Sequence, residues 1–473
     1  MVHLAISTSQ FQSQVADLLP CNKSSKSQLI FGLLNAYKLL DHFDHIITDP
    51  FSSEEEMLQF HDKKYVETLL DVSLNQSTWK RPDETLEQWK HLAQLVKNDV
   101  FATQHAFQSP KDLLNYYKTY TNEGKMIRKR SIMNTDFEDQ SEEEKGCEKV
   151  GSSLLKEFNL EGDCPIFPYL PLYLKVITGA TLRLLDIPGL NLKPLNANTR
   201  NDRFIGINWD GGRHHAMKRK ASGFCYINDI VLLLQKIRKK GIQRITYLDF
   251  DLHHGDGVEK AMLYSKNVQT ISLHLYEVGF FPCTGSLNES KGINTVTLPL
   301  MHGFDDECLS ELTDHVIQPC IREFKPEVIV IQCGSDGLMG DTFHEWQLTI
   351  AGLTNNIIKV MKQFPQCHVI LLGGGGYNPT LTSRFYAYLT WNILNECGEF
   401  TKRLEKNPFE EEHSQDPKYD VLIPDHPFGE FYGDEEHYKF WSYDQDGSPL
   451  YRPLKNDNKP CLISNFRAHY QLD

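Results

Sequence analysis

The stretch Tyr247-Leu-Asp-Phe-Asp-Leu-His-His-Gly-Asp-Gly-Val258 decides the fold. The apolar run Ile245–Leu248 reads as a buried strand, and it passes directly into a segment dense in aspartate and histidine. Side chains alternate sides along an extended chain, so Asp249, Asp251 and His253 can point the same way. A carboxylate and an imidazole two residues apart on one face are two ready ligands for a divalent metal. A catalytic zinc takes nitrogen and oxygen ligands and keeps one position open for water. A solvated, turn-rich strand end is the plainer alternative. Against it, sites sit on the loops that follow strands.

Working outward, four more strands are plain: Phe204–Asn208, Thr270–Leu275, Val328–Gln332 and Val369–Leu372. Helical patterns such as Ile227–Lys239 and Phe343–Gln363 lie between them. Strands alternating with helices imply an α/β fold, a mainly parallel sheet sandwiched by helices in a single large domain. Each strand ends in unusual chemistry on its carboxyl side: Trp209 to His215, Asp249 to Asp256, Gly279 to Pro282, Cys333 to Asp336, and Gly373 to Tyr377. Open parallel sheets bind ligands at the carboxyl ends of their strands, so these segments can converge on one pocket.

The first 110 residues alternate short apolar segments with amphipathic helical patterns over Ser27–Leu40 and Leu86–Gln104. Residues 1–400 form the expected domain, broken by a polar insertion over about 111–157 that reads as disordered. The insertion carries Arg128-Lys-Arg130, a weak nuclear signal or simply a solvated charge run. Residues 401–473 read as a polar C-terminal extension.

With 40% hydrophobic residues the chain can bury a real core, and its net charge of −14 argues against direct nucleic-acid binding. An acidic surface suits cationic partners such as basic protein tails. The eleven cysteines show no paired framework, which points to free thiols in a reducing compartment. The N-terminus lacks a signal-peptide pattern and no apolar run is long enough to span a bilayer. The expectation is an intracellular protein of nucleus or cytoplasm, neither secreted nor membrane-bound.

A third metal ligand should come from another strand end, and Asp336 is the candidate, although Gly-Ser-Asp-Gly also suits an ordinary turn. If Asp251 and His253 hold metal, Asp249 and Asp256 are left to pair with His214 and His215. A carboxylate on one ring nitrogen fixes the tautomer and raises the basicity of the other. One histidine of such a pair can accept a proton from an activated water, help worth about 10²–10⁴-fold in rate. The glycine quartet before Tyr377 lacks the Gly-Lys-Ser/Thr ending of a nucleotide-binding loop. It can instead carry the Tyr377 phenol into a crowded site to donate to a developing oxyanion; a core tyrosine is the alternative. Phe224 and Phe281 can wall a slot for an aliphatic chain, or simply pack in the core.

These segments together resemble the class I zinc-dependent histone deacetylases. The resemblance rests on Gly211-Gly-Arg-His-His215, Ala221-Ser-Gly-Phe-Cys-Tyr226, Asp249 through Glu259, Gly279-Phe-Phe-Pro282, Gly334-Ser-Asp336 and Leu372-Gly-Gly-Gly-Gly-Tyr-Asn378. It covers most of residues 1–110 and 158–395 and is nearest to the fungal branch that deacetylates a cohesin subunit. It implies an arginase/deacetylase fold, removal of acetyl groups from lysine, and a place in a chromatin or cohesin complex. It also implies zinc on Asp251, His253 and Asp336, His214 paired with Asp249, His215 paired with Asp256 as general base, and Tyr377 on the acetyl carbonyl. Phe224 and Phe281 would line the lysine tunnel and Asp163 would bond the substrate backbone at the rim. A structural potassium would lie near Asp249, Asp251, His253 and Ser272.

Four positions depart from the family pattern. Arg213 replaces a tryptophan, Cys283 a glycine, Phe343 a leucine or methionine bordering the substrate, and Lys26 an arginine of the inner product channel. None removes a catalytic group, and together they suggest altered substrate or inhibitor preference. The rival readings are a two-metal ureohydrolase of the same fold, a deacetylase of small amines such as polyamines, and a silent acyl-lysine-binding corepressor scaffold. Ferrous iron suits the Asp/His/Asp donors as well as zinc does.

Overall fold

The computed structural model describes residues 2–22, 25–71, 154–167, 169–192, 195, 202–288, 292–397, 407–410, 421–433 and 435–472. Eight strands form one sheet: β1 (Val2–Ser7), β2 (His45–Ile47), β3 (Arg203–Asn208), β4 (Ile245–Asp249), β5 (Val268–Leu275), β6 (Thr295–Leu300), β7 (Val328–Gln332) and β8 (His368–Leu372). Their order is β2-β1-β3-β8-β7-β4-β5-β6, and every pair is parallel.

The central strands are buried along their whole length, as expected for a parallel sheet covered on both faces. Alternate residues feed two cores. Ile205, Ile207, Ile329, Ile331, Val369 and Leu371 face one, packed against the helices Lys26–Ala36, Ile350–Gln363 and Pro379–Cys397. Phe204, Val328, Val330, Ile370 and Leu372 face the other, under Gln10–Ala16, Leu170–Leu182 and Asp229–Lys239.

The described part of the C-terminal segment is built into the first face. Phe409, Val421, Phe428, Tyr432, Trp441, Tyr443 and Phe466 are all buried there. Tyr470 caps the sheet margin: its hydroxyl donates to Thr297 O (2.8 Å) and accepts from Thr297 N–H (2.9 Å). That closes part of an edge strand that would otherwise present unpaired backbone groups.

The five strands read from the sequence are present, each within two residues of its expected limits. The helix expected over Phe343–Gln363 begins only at Ile350, where Thr349 accepts the Gly352 N–H as N-cap. Its first seven residues form a loop, with Leu348 bridging to Leu338 and His344 at φ 53°. The helix expected over Ser27–Leu40 ends at Ala36 and resumes as a 3₁₀ turn at Leu39–His42, after Lys38 enters the left-handed region at φ 55°. The pattern over 86–104 and the insertion over 111–157 lie outside the described residues, save 154–157, which are helical. Among the described residues every cysteine is free, and no helix is long and apolar enough to cross a membrane.

Candidate active site

The sheet delivers its chemistry to one end. Asp251 and His253 follow β4, and Asp336 follows its neighbour β7. One ligand atom from each of the three lies within 4.8 Å of the others, and all three residues are buried. His253 Nδ1 is 2.9 Å from Asp336 Oδ2 and 3.3 Å from Asp251 Oδ1. Burial and the Asp251 charge push the Asp336 carboxyl up to about 7. Two carboxylates and an imidazole gathered out of water in this way form a donor set that fits a divalent cation.

Each candidate ligand is held from behind. Asp251 Oδ2 accepts from Gln332 Nε2 and from the Gly375 N–H, both at 2.7 Å. Asp336 Oδ1 accepts the Leu252 N–H at 3.0 Å. The Phe280 ring stacks on His253 with centroids 5.0 Å apart. The glycine run is required by space here. A Cβ on Gly374 would lie 2.1 Å from Gln332 Nε2, and one on Gly375 would lie 2.2 Å from Asp336 Oδ2.

Both histidine–carboxylate pairs form. His214 Nδ1 lies 2.8 Å from Asp249 Oδ2, which also accepts the Tyr247 hydroxyl at 2.6 Å. His215 Nδ1 lies 2.8 Å from Asp256 Oδ1. Their electrostatics diverge. Burial opposes a charge on His214, but Asp249 and Asp251 override it and raise the ring to about 9. Burial and the neighbouring His214 hold His215 down to about 4. The surroundings thus favour the charged form of His214 and the neutral form of His215.

Tyr377 sits between aromatic neighbours, its ring centroid 5.9 Å from Phe224 and 5.1 Å from Phe343. Burial keeps its phenol protonated, far above the usual range. Phe281 lies edge-on to His215 at 4.9 Å and is 38% exposed, so it reaches the mouth. Gly223 lets these elements meet: at φ 51°, a Cβ there would fall 2.4 Å from the His215 ring and 2.8 Å from Phe281. Asp163 lies exposed at the same rim and accepts the Gly223 N–H at 2.9 Å. Ser272 is the register partner of Asp249 on β5, and its hydroxyl accepts the Gly255 N–H at 3.3 Å.

The departures fall around this centre. Phe343 packs edge-on to His253 at 4.8 Å, between a ligand and Tyr377. Cys283 adopts φ 63°, the left-handed conformation that glycine enters freely and other residues rarely adopt. Arg213 and Lys26 are turned inward, Arg213 donating to Asp210 O (2.8 Å) and Lys26 to Gly374 O (3.1 Å). The sequence reading passed over Tyr247, Phe280, Gln332 and Asp341. Gln332 carried a signal, a lone amide closing an otherwise apolar buried strand.

A family model described as "Histone deacetylase domain" matches residues 20–393. The chain belongs to the histone deacetylase family, with its arginase/deacetylase fold, and is a hydrolase that removes acetyl groups from lysine. It is 46% identical to "Histone deacetylase HOS1" of Saccharomyces cerevisiae across 100% of both chains. It is 36% identical to "Histone deacetylase 8" of Xenopus tropicalis over 66% of this chain and 75% of that protein. It is also 36% identical to "Histone deacetylase B" of Dictyostelium discoideum, over 58% and 61% respectively.

Proposed function

We propose that this chain is a zinc enzyme that hydrolyses Nε-acetyl-lysine in a basic chromosomal protein, a histone or a cohesin subunit, and releases acetate. The observation that carries the reading is the convergence of the buried Asp251/His253/Asp336 donor set, two histidine–carboxylate pairs and Tyr377 behind an aromatic mouth. Zinc held by those three side chains would polarise the acyl carbonyl and lower the pKa of water to about 7.

The protein's own groups do the rest. Phe224 and Phe281 flank the acetyl-lysine stem, and Asp163 takes a backbone N–H of the substrate with its remaining lone pairs. His215, neutral and oriented by Asp256, accepts the proton of the attacking water at Nε2. Tyr377 donates to the carbonyl oxygen as it becomes an oxyanion, an interaction that strengthens as charge develops. His214, oriented by Asp249 through Nδ1, stands beside the reacting centre. His215 then returns its proton to the leaving amine, and the C–N bond breaks to give lysine and acetate. A structural potassium beside Asp249, Asp251, His253 and Ser272 belongs to the same reading. The net charge of −14 favours encounter with basic tails. The reading places the protein with chromatin or cohesin in the nucleus or cytoplasm.

The test is acetate release from acetyl-lysine peptides by the purified full chain, after chelation and after return of zinc or ferrous iron. Chelator-sensitive release restored by zinc is expected. Release restored by iron alone would overturn the metal assignment. Hydrolysis of acetylpolyamines but of no peptide would overturn the substrate assignment.

A further inference from the structure

We propose that Asp341 is a positioning residue that aims Tyr377, an inference that rests on the oxyanion role given to Tyr377 above. The loop carrying Tyr377 is four glycines long, so it has no side chains of its own to anchor it. Gly376 sits at φ 128° immediately before the tyrosine. Backbone hydrogen bonds therefore help set where the phenol points, and Asp341 supplies those at Tyr377 and the residue after it. Its carboxylate is buried, and Oδ2 accepts the N–H groups of both Tyr377 (2.6 Å) and Asn378 (3.0 Å). Oδ1 accepts the Phe343 N–H at 3.2 Å.

Two further bonds stitch the clamp. Thr342 Oγ1 donates to Tyr377 O at 3.0 Å, and Asn378 Nδ2 donates to Gly340 O at 2.8 Å. Residues 340–343 and 377–378 thus form one unit, and Phe343 lays its ring against both Tyr377 and His253. That unit begins four residues after Asp336, on the same loop. One carboxylate therefore ties the tyrosine to the loop that carries a candidate metal ligand, and the buried Lys26 ammonium favours its charge. A buried carboxylate that accepts three backbone N–H groups is fixed in place. Removing it leaves those donors unsatisfied.

The test is Asp341→Asn, nearly isosteric but with a single acceptor oxygen, which cannot serve both sides of the clamp. Misplacement of a reacting group by about 1 Å costs about 10²-fold in rate. The expected result is a fall in kcat of about 10- to 10²-fold, with KM and bound metal within about threefold of wild type. The discriminating measurement is the double variant. If Asp341 acts through Tyr377, Asp341→Asn in a Tyr377→Phe background costs less than about threefold, because the group being aimed is already gone. Wild-type kcat in Asp341→Asn, or a full multiplicative loss in the double variant, overturns the proposal. Thr342→Val, on the exposed side of the clamp, gives a second variant should Asp341→Asn fold poorly. A several-fold loss of kcat that vanishes in the Tyr377→Phe background supports the proposal, and an unchanged kcat counts against it. Absence of chelator-sensitive deacetylation in the wild type would instead sink the functional reading itself.

Discussion

Replacing Gly375 with alanine tests the metal centre without touching a ligand. The new methyl carbon would lie 2.2 Å from Asp336 Oδ2 and 2.5 Å from its Cγ. Carbon and carbon pairs sit comfortably at about 3.5–4.0 Å, so something must move by about 1 Å. Gly375 cannot retreat easily: its N–H is held by Asp251 Oδ2 at 2.7 Å, and its carbonyl accepts the Ser335 N–H at 3.0 Å. The displacement therefore falls on Asp336, or on Asp251 through the Gly375 N–H. Overpacking a dense interior costs about 1–3 kcal/mol. Disturbing the groups that orient metal ligands costs about 10- to 100-fold in affinity. The expected phenotype is a modest loss of thermal stability with zinc affinity, read by competition with a chelator of known strength, down by at least about tenfold. Acetate release should fall in step and recover when zinc is supplied in excess. Gly206→Ala in β3 is the matched control, since its methyl would meet the Phe204 ring at 2.9 Å, in the core away from the ligands. It should lower the melting temperature and leave zinc affinity alone. Wild-type zinc affinity and turnover in Gly375→Ala would refute the placement of Asp336 in the centre.

Other perturbations separate the remaining roles. Tyr377→Phe should lower kcat by about 10²–10³-fold with metal content intact, measured by acetate release and metal analysis. Asp256→Asn, facing His215 Nδ1 at 2.8 Å, favours the tautomer with its proton on Nε2, and should cost about 10²–10⁴-fold in kcat at unchanged zinc affinity. Tyr443→Phe removes the hydroxyl that accepts from Asn378 Nδ2 at 3.0 Å, and should cost about 0.5–1.5 kcal/mol in stability by thermal melts. Burial holds His61 down to about 4, and its Nε2 accepts the Asn228 N–H at 3.0 Å. An unfolded histidine titrates near 6.5, so acidification protonates the unfolded chain first. The stability from this site is complete above about pH 6.5 and falls as pH drops toward about 4, by about 2 kcal/mol at pH 5. Melts at pH 7.5 and 5.0 should show a smaller acid-induced drop for His61→Gln than for wild type; equal drops would remove His61 from the account.

How far the sequence speaks depends on the range of the interaction. Central strands such as Val328–Gln332 open with an uninterrupted apolar run of four residues, so their burial is written in their composition. The margins are not. β2 spans three residues, and β6 carries Pro299, which a central strand would exclude but which an edge tolerates. The error at Phe343–Ile350 has a clear source. Phe343, Trp346 and Ile350 repeat at helical spacing, yet Phe343 faces the site while Trp346 and Ile350 belong to the core. At the centre, residues whose chemistry lies in their own side chains, Asp251, His253, Asp336 and Tyr377, could be singled out by type and by position after a strand. Gln332 stands out as a lone amide but without a partner, and Asp341 not at all, because they act on another residue's carboxylate or backbone, and such a partner is fixed only once the loops have met.

That contrast also places the C-terminal segment within the catalytic architecture. Tyr443 closes over Gly340, where a Cβ would fall 2.4 Å from its ring, and its hydroxyl accepts from Asn378. Its neighbour Asp444 accepts the N–H groups of Ile350 (3.0 Å) and Ala351 (3.2 Å), at the start of the helix that follows the Asp341 loop. Arg384, buried in the helix after Tyr377, lies over the rings of Tyr432 and Tyr443 at 5.1 and 5.5 Å. The segment therefore grips both flanks of the clamp, the helix leaving Tyr377 and the helix leaving Asp341. A polar tail by composition is, in the folded chain, the outer wall of the loops that aim the phenol.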